Sequence, residues 1–145
     1  MSDAQPVLNQ LNLVVRDMEA TLTFYRRLGL QIPDDPARHS THHTEVELGN
    51  GFLLEFDSAE MSRVYNASAR EPAGGSGVLG FALPSREAVD KRYADLTDAG
   101  YAGCQPPFDA FWGARYSIVA DPDGNHVGLM SPIDPSRRTA PPELS

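Results

Sequence analysis

The amino-acid sequence predicts an α+β fold in which two βαβββ modules pair into a concave, cup-shaped mixed sheet with helices on its outer face. A repeat is the first observation, because residues 7–57 and 77–132 each show the pattern of a strand, a helix, a short strand and a hairpin. The spacing of glycines is the second observation. Gly29 follows the first helix 19 residues after Gln10, and Gly100 follows the second helix 20 residues after Gly80. Since neither half alone can bury its apolar face, the repeat indicates one supersecondary unit used twice. We therefore expect the functional site where the halves face each other.

The chain of 145 residues has the length of a single domain. Residues 58–76, rich in Ala, Ser, Gly and Pro, are predicted to link the two modules, and the proline-rich residues 133–145 are predicted to form a flexible tail. The single cysteine, Cys104, excludes a disulfide framework and a multi-cysteine zinc site. We expect Cys104 to lie in the core beneath a strand.

The charge of the chain restricts its partners. The formal net charge is −8 and the sequence pI is about 4.8, and no run of Lys or Arg is present, so nucleic acid is not an expected partner. A cationic partner suits this charge better. The sequence lacks both an apolar run long enough for a membrane span and the pattern of a signal peptide, which predicts a cytoplasmic protein without membrane contact.

Alternation of apolar and polar residues defines the first module. A strand is predicted over residues 8–15, a helix between the cap Asp17 and the stop Gly29, a short strand over residues 30–33, and a hairpin over residues 43–57. The period of two places one set of side chains away from the helix, toward the expected concavity. This set comprises Gln10, Asn12, His43, Glu45, Glu47, Leu53, Glu55 and Asp57.

The second module repeats the order with different residues. A strand begins at Val78, Ser85 caps the following helix, and Gly100 ends it. A short strand over residues 101–105 and a hairpin over residues 115–131 complete the module.

Four short stretches carry a resemblance to a known family. These are VRD at residues 15–17, FYRRLG at 24–29, WGARY at 112–116 and DPDGN at 121–125. Together with the repeat, they resemble the vicinal oxygen chelate superfamily, which includes glyoxalase I, extradiol dioxygenases, and the fosfomycin- and bleomycin-resistance proteins. The resemblance covers about residues 7–132 and implies the paired-module fold, but not one activity, because this fold hosts many.

The resemblance also implies where a metal ion would bind. In metal-dependent members, the first and last strands of each module donate one ligand each, and these positions fall on Gln10, Glu55, Gly80 and Gly128. Glycine has no donor side chain, whereas a catalytic ion normally requires three or four protein ligands. We therefore expect no metal and no other cofactor. His126, two residues before Gly128, is the alternative ligand, but we expect an exposed histidine at the rim.

Three further histidines favour no second metal site. His42 and His43 are adjacent and would point to opposite faces of a strand, and His39 lies in the preceding loop. We interpret them as a polar loop that enters an edge strand. The sequence also contains no nucleophile elbow, phosphate-binding glycine loop or HExxH motif.

Aromatic residues near the second hairpin are the other candidates for ligand contact. Large rings in the segment that leads into this hairpin can line a flat apolar ligand. Trp112 can instead pack against the opposite module. Arg115 can anchor an acidic group of a ligand, although we favour its pairing with a carboxylate of the protein such as Glu55. The aromatic candidates are Phe108, Phe111, Trp112 and Tyr116.

These residues lead to two hypotheses of function. The first is metal-independent binding of a small neutral or cationic molecule, aromatic in character, as in drug sequestration by the bleomycin-resistance branch that the chain most resembles. The second is an isomerase, epimerase or lyase in which Glu55 is the catalytic general base and Arg115 or Asn12 stabilises negative charge. A pure interaction domain is disfavoured by the polar cup. The predicted ligand-binding residues are Gln10, Asn12, Glu55, Phe111, Trp112 and Arg115.

Assembly is the last expectation from the sequence. The predicted edge strand over residues 44–48 would be a pairing hazard in a monomer. Resembling proteins form dimers in which the sheets close into cups, so we expect a two-fold homodimer.

Overall fold

A computed structural model describes residues 4–34 and 40–144, and these residues form the predicted α+β fold. The chain divides into two compact units, one ending at Pro72 and the other beginning at Ala73. The division lies within the segment that was predicted to join the modules.

The first unit is a three-stranded mixed sheet with two helices. The strand order is β1-β3-β2, with β1 parallel to β3 and β2 antiparallel to it, so β2 is an edge strand of this sheet. The elements are β1 (Gln10–Val14), α1 (Met18–Leu28), β2 (His43–Glu47), β3 (Leu53–Asp57) and α2 (Ala59–Tyr65).

Helix α1 has the caps that the sequence predicted. The Asp17 carboxylate accepts a hydrogen bond from the Ala20 amide at 3.1 Å, and Gly29 ends the helix with φ 122°, a conformation that favours glycine. The buried face of α1 packs on the sheet through Tyr25, whose ring lies 4.9 Å from that of Phe56. The alternation predicted for the hairpin is also confirmed, because its buried residues include Thr44, Val46, Leu54 and Phe56.

Two parts of the first unit differ from the prediction. Residues 30–33, which were predicted to form a short strand, form none. The carbonyl oxygens of Ile32 and Pro33 instead accept hydrogen bonds from the Arg26 guanidinium, both at 3.3 Å. The segment predicted as a linker begins with helix α2, which Ser58 caps by accepting a hydrogen bond from the Met61 amide at 3.1 Å. This helix matters for the site because it ends at Tyr65.

The second unit is a complete βαβββ module, as predicted. Its strand order is β4-β7-β6-β5, with β4 parallel to β7 and the other neighbours antiparallel. The elements are β4 (Val78–Ala82), α3 (Arg86–Asp98), β5 (Gly103–Asp109), β6 (Arg115–Ala120) and β7 (His126–Met130), followed by a 3-10 turn at Pro135–Arg137.

The chain after β7 was expected to be flexible, but its first part is fixed against the loop between β5 and β6. The Asp134 amide donates to the Gly113 carbonyl at 3.0 Å, and the Thr139 amide donates to the Phe111 carbonyl at 2.9 Å. The core position expected for Cys104 is wrong, because its side chain is exposed on β5, an edge strand.

The helices of the described residues give no sign of a membrane span: each is too short or too polar to cross a bilayer.

Candidate functional site

Side chains on the sheet surface of the first unit that is not covered by α1 form a polar face. Asn12 and Glu45 both lie directly opposite Glu55, and His43 lies opposite Asp57. Gln10 is opposite Leu53 and lies two residues before Asn12 on β1, so it is on the same face of the strand. The strand register therefore brings together the residues that the sequence placed on this face. We call it the polar face; it comprises Gln10, Asn12, His43, Glu45, Glu55 and Asp57.

Asp57 is the centre of the hydrogen bonds on the polar face, and its side chain is fully buried. Its carboxylate accepts hydrogen bonds from His43 Nδ1 at 2.5 Å, from the Tyr65 hydroxyl at 2.5 Å and from Asn12 Nδ2 at 3.0 Å. Burial by itself raises the pKa of Asp57, but the hydrogen bonds from His43, Tyr65 and Asn12 outweigh burial and hold this pKa below its usual value. Asp57 is therefore an ionised group fixed inside the protein.

Tyr65 is a member of this network that sequence reasoning missed. It lies at the end of α2, in the segment that was interpreted as a linker. Burial and the hydrogen bond to Asp57 raise the pKa of the Tyr65 hydroxyl, which therefore stays protonated and donates to the carboxylate. The only signal in the sequence was Ser58, a good helix cap.

His43 is the second group that the sequence interpretation undervalued. Because the ionised Asp57 can only accept, Nδ1 of His43 must carry the proton in their hydrogen bond. This leaves Nε2 on the far side of the ring, 3.8 Å from Glu55 Oε1. The hairpin is centred on Asn50, so counting outward from the turn would have placed His43 opposite Asp57.

The residues of the polar face other than Glu45 line a cavity of about 490 Å³. Glu55 is largely enclosed, with 12% of its side chain exposed. Met61 and Tyr65, both from α2, complete the wall with apolar and aromatic surface. The residues lining this cavity include no Lys or Arg, so its charge comes from carboxylates and one imidazole.

One group of described residues on this face has the donor atoms that a metal ion requires. Single donor atoms of His43, Glu45 and Glu55 all lie within 4.8 Å of one another. Such a set suits a divalent cation, and it suits equally the protonated amine of an organic ligand.

Aromatic side chains cover part of the sheet of the second unit. Phe108 and Tyr116 are directly opposite on β5 and β6, with ring centres 6.4 Å apart. Trp112 lies edge-on to both neighbours, 5.4 Å from Tyr116 and 5.3 Å from Phe111, and is half-buried. The structure thus brings the four predicted aromatic residues into contact. We call this group the aromatic cluster; it comprises Phe108, Phe111, Trp112 and Tyr116.

The metal ligands that the fold implies do not fit the residues of this chain. Gly80 and Gly128 are directly paired on β4 and β7 and offer no donor side chain. The residue that pairs with Glu55 in the same way is Asn12, so the assignment of Gln10 as the counterpart of Gly80 was wrong. A Cβ atom on Gly128 would lie 2.6 Å from the Tyr116 hydroxyl, so that hydroxyl already fills the space of a ligand at position 128. Burial raises the pKa of Tyr116, which keeps its hydroxyl neutral.

Arg115 lies apart from the aromatic cluster. Its guanidinium bonds Asp90 of α3 at 2.8 Å and Asp109 of β5 at 3.2 Å, on the helix-covered side of the sheet. Hydrogen bonding to Asp90 raises the pKa of Arg115, and Asp109 adds to this effect. An ion pair within the protein was predicted for Arg115, but the suggested partner, Glu55, was wrong.

The remaining histidines play other parts. His42 precedes β2 and its Nδ1 lies 2.8 Å from the Ser58 hydroxyl, at the start of α2. His126 is exposed at the start of β7, as expected of a rim residue. His39 lies outside the described residues.

A family model described as the Glyoxalase/Bleomycin resistance protein/Dioxygenase superfamily matches residues 7–129. Among solved structures, a glyoxalase-related enzyme from Fulvimarina pelagi is 22% identical, with a TM-score of 0.76 over 89% of this chain and 89% of that chain. A glyoxalase/bleomycin resistance protein/dioxygenase family enzyme from Burkholderia phytofirmans PsJN is 23% identical, with a TM-score of 0.74 over 86% of this chain and 97% of that chain.

A lactoylglutathione lyase from Agrobacterium tumefaciens is also similar, at 19% identity and a TM-score of 0.64 over 89% of this chain and 96% of that chain. The chain has no match among curated proteins. Identities this low establish the fold alone. The family model, however, spans well over half of the sequence. The chain therefore belongs to the Glyoxalase/Bleomycin resistance protein/Dioxygenase superfamily.

Proposed function

We propose that this protein binds a small aromatic or cationic molecule without the help of a metal ion, and that the polar face recognises its positive charge. The observation that carries the proposal is the buried, ionised Asp57 beside the largely enclosed Glu55, in a cavity of about 490 Å³. A cavity of this volume is within the range of about 300–1,000 Å³ that is usual for small-molecule sites.

Electrostatics supports a cationic ligand. Glu45, Glu55 and Asp57 are three carboxylates on one face, against the single imidazole of His43. Asp57 already accepts three hydrogen bonds from the protein, whereas the one ion-pair partner of Glu55 among the described residues is His43, at 3.8 Å. Glu55 is therefore the carboxylate with free acceptor capacity for a protonated amine.

The aromatic cluster supports an aromatic ligand. Its rings meet edge to face, and Trp112 keeps part of its surface accessible. A planar group can gain contact area there, and cationic rings gain further from the ring faces. Binding without chemistry is how a bleomycin-resistance protein protects its host, and we propose this kind of sequestration for the present chain.

A second candidate is a proton-transfer enzyme of the isomerase, epimerase or lyase type. The observation that favours it is His43, which Asp57 holds in one orientation with Nε2 beside Glu55. In this scheme Glu55 removes a proton from the substrate as general base, while the oriented imidazole stabilises or relays charge. Asn12 can offer its second amide hydrogen to a developing oxyanion.

Substitution of Glu55 separates the two candidates. A thermal-shift panel of aromatic amines and cationic antibiotics first identifies a ligand, because a ligand of the folded state raises the melting temperature with concentration. For a binding protein, Glu55→Gln should weaken affinity by about 1–3 kcal/mol, the range for a charge-assisted hydrogen bond. For an enzyme, turnover should fall about a hundredfold or more while binding is largely kept.

Glu47→Gln is the matched control, since Glu47 is an exposed carboxylate on the neighbouring strand β2. Trp112→Ala should reduce affinity for aromatic ligands through lost contact area. Equal effects of Glu55→Gln and Glu47→Gln would contradict a role for the polar face. Elemental analysis that finds one metal ion per chain, lost in His43→Ala, would contradict metal-independent binding.

A further inference from the structure

A second cavity, of about 320 Å³, lies within the second unit. It is bordered by the first residue of α3, the loop after β5 and the chain that follows β7. Three of its lining residues are arginines, Arg86, Arg137 and Arg138, although the chain carries a net charge of −8. Such a concentration of guanidinium groups in an acidic protein points to a partner of opposite charge.

The protein does not satisfy all the donors of these arginines. Arg86 bonds Asp109 through Nη2, but its Nη1 is buried and has no hydrogen-bond partner among the described residues. Arg138 makes no ion pair with any described residue. A buried donor without an acceptor costs free energy, and more so when it is charged.

The nearby carboxylates are already engaged. Asp109 is shared between Arg86 and Arg115. Asp134 accepts hydrogen bonds from the amide of Ser136 at 3.0 Å and from its hydroxyl at 2.7 Å, and it lies 3.5 Å from Arg137 Nε. These contacts leave the cavity with unused positive charge.

The backbone fixes this arrangement without a ligand. Gly113 has φ 98°, and a Cβ atom there would lie 2.5 Å from the Asp134 carbonyl oxygen, so a glycine is needed for this close approach. The Thr139 amide donates to the Phe111 carbonyl on the other side of the turn. Arg137 and Arg138 are thereby held in the same cavity lining as Arg86, the first residue of α3.

We propose that this cavity binds the oxyanion group of a small molecule, a phosphate or a carboxylate, through Arg86, Arg137 and Arg138. A guanidinium pairs with either group in bidentate geometry, and the Thr139 hydroxyl adds a neutral donor to the lining. This site is separate from the polar face, because it lies in the second unit and selects the opposite charge.

Titration of the full-length protein with inorganic phosphate, and separately with acetate, followed by calorimetry, tests the proposal and distinguishes the two kinds of oxyanion. We expect saturable binding of at least one of them at constant ionic strength. Arg86→Gln and Arg138→Gln should each weaken it about tenfold or more. Arg63→Gln, which removes an equal charge from the exposed side of α2 in the first unit, should leave it unchanged.

A substitution with the opposite effect completes the test. Asp109→Asn removes the carboxylate that competes for Arg86, so oxyanion affinity should rise several-fold, while Asp98→Asn at the exposed end of α3 should not change it. Arg138 is exposed, so its variant keeps the test valid even if Arg86→Gln fails to fold. The proposal is wrong if neither anion binds saturably, if Arg63→Gln weakens binding as much as Arg138→Gln, or if Asp109→Asn weakens it.

Discussion

Replacing Asp57 with asparagine should destabilise the first unit and should move the imidazole proton of His43 from Nδ1 to Nε2. The substitution keeps the shape of the side chain but removes its charge. An amide can still accept from the Tyr65 hydroxyl and Asn12 through its oxygen, as Asp57 Oδ2 does now. Its nitrogen, however, would face His43 Nδ1 and must donate to it. The imidazole proton would then move to Nε2, on the side of Glu55.

The size of the effect follows from the three hydrogen bonds. A hydrogen bond to a charged group contributes about 1.5–3 kcal/mol, against about 0.5–1.5 kcal/mol for a neutral pair, so each of the three loses roughly 1 kcal/mol. Relief from the cost of burying a charge offsets part of this loss. We expect Asp57→Asn to lower the free energy of unfolding by about 2–3 kcal/mol.

Urea unfolding measures this change as a lower midpoint at unchanged slope. Nitrogen-15 NMR of the His43 ring reports the tautomer independently. Glu47→Gln, an exposed carboxylate two residues beyond the direct partner of Glu55, should shift stability by less than about 0.5 kcal/mol. If Asp57→Asn were no more destabilising than Glu47→Gln, the reasoning about a structural, ionised Asp57 would be refuted.

Three further predictions rest on single features. Because the folded-state pKa of Asp57 is below its unfolded value of about 3.9, its stabilising contribution is complete above that value and is lost as the pH falls through the folded pKa. Below about pH 4, the free energy of unfolding should therefore fall less steeply with decreasing pH for Asp57→Asn than for the wild type. Gly128→Ala should cost about 1–2 kcal/mol because its Cβ would meet Tyr116, whereas Gly80→Ala, with no atom within 4 Å, should be tolerated in the same unfolding assay. Light scattering at micromolar concentration should give the mass of a two-fold homodimer, since β2 is an open edge of its sheet, and a monomer mass would contradict this.

Local rules accounted for most of the fold. The caps Asp17 and Ser85 and the stop glycine Gly29 act within a few residues, so the sequence alone places the helix ends that they define. Alternation along the hairpin likewise separated buried from polar positions, because a strand has only two faces. A strand was predicted after α1, and its absence could not be inferred from the sequence. The absence depends on hydrogen bonds from the Arg26 guanidinium to two backbone carbonyl groups.

The candidate site was predicted less completely. Glu55 and Asn12 were recognised because they fall on one face of paired strands. Tyr65 was missed because its helix is short and follows a turn-rich composition. The partners of Arg115 could not be chosen from the sequence, because several carboxylates compete for a guanidinium and only the packing of α3 selects Asp90.

Comparison of the two repeats indicates how binding should depend on salt. In each unit the first strand of the sheet pairs with the last. This pairing places Asn12 beside Glu55 in the first unit and Gly80 beside Gly128 in the second. At these paired positions, therefore, only the first unit presents a charged side chain. Added salt screens the attraction between exposed charges. For a cationic aromatic ligand, affinity should fall with added salt, and Glu55→Gln should remove much of that dependence. A salt dependence unchanged by Glu55→Gln would show that the positive charge of the ligand is recognised elsewhere.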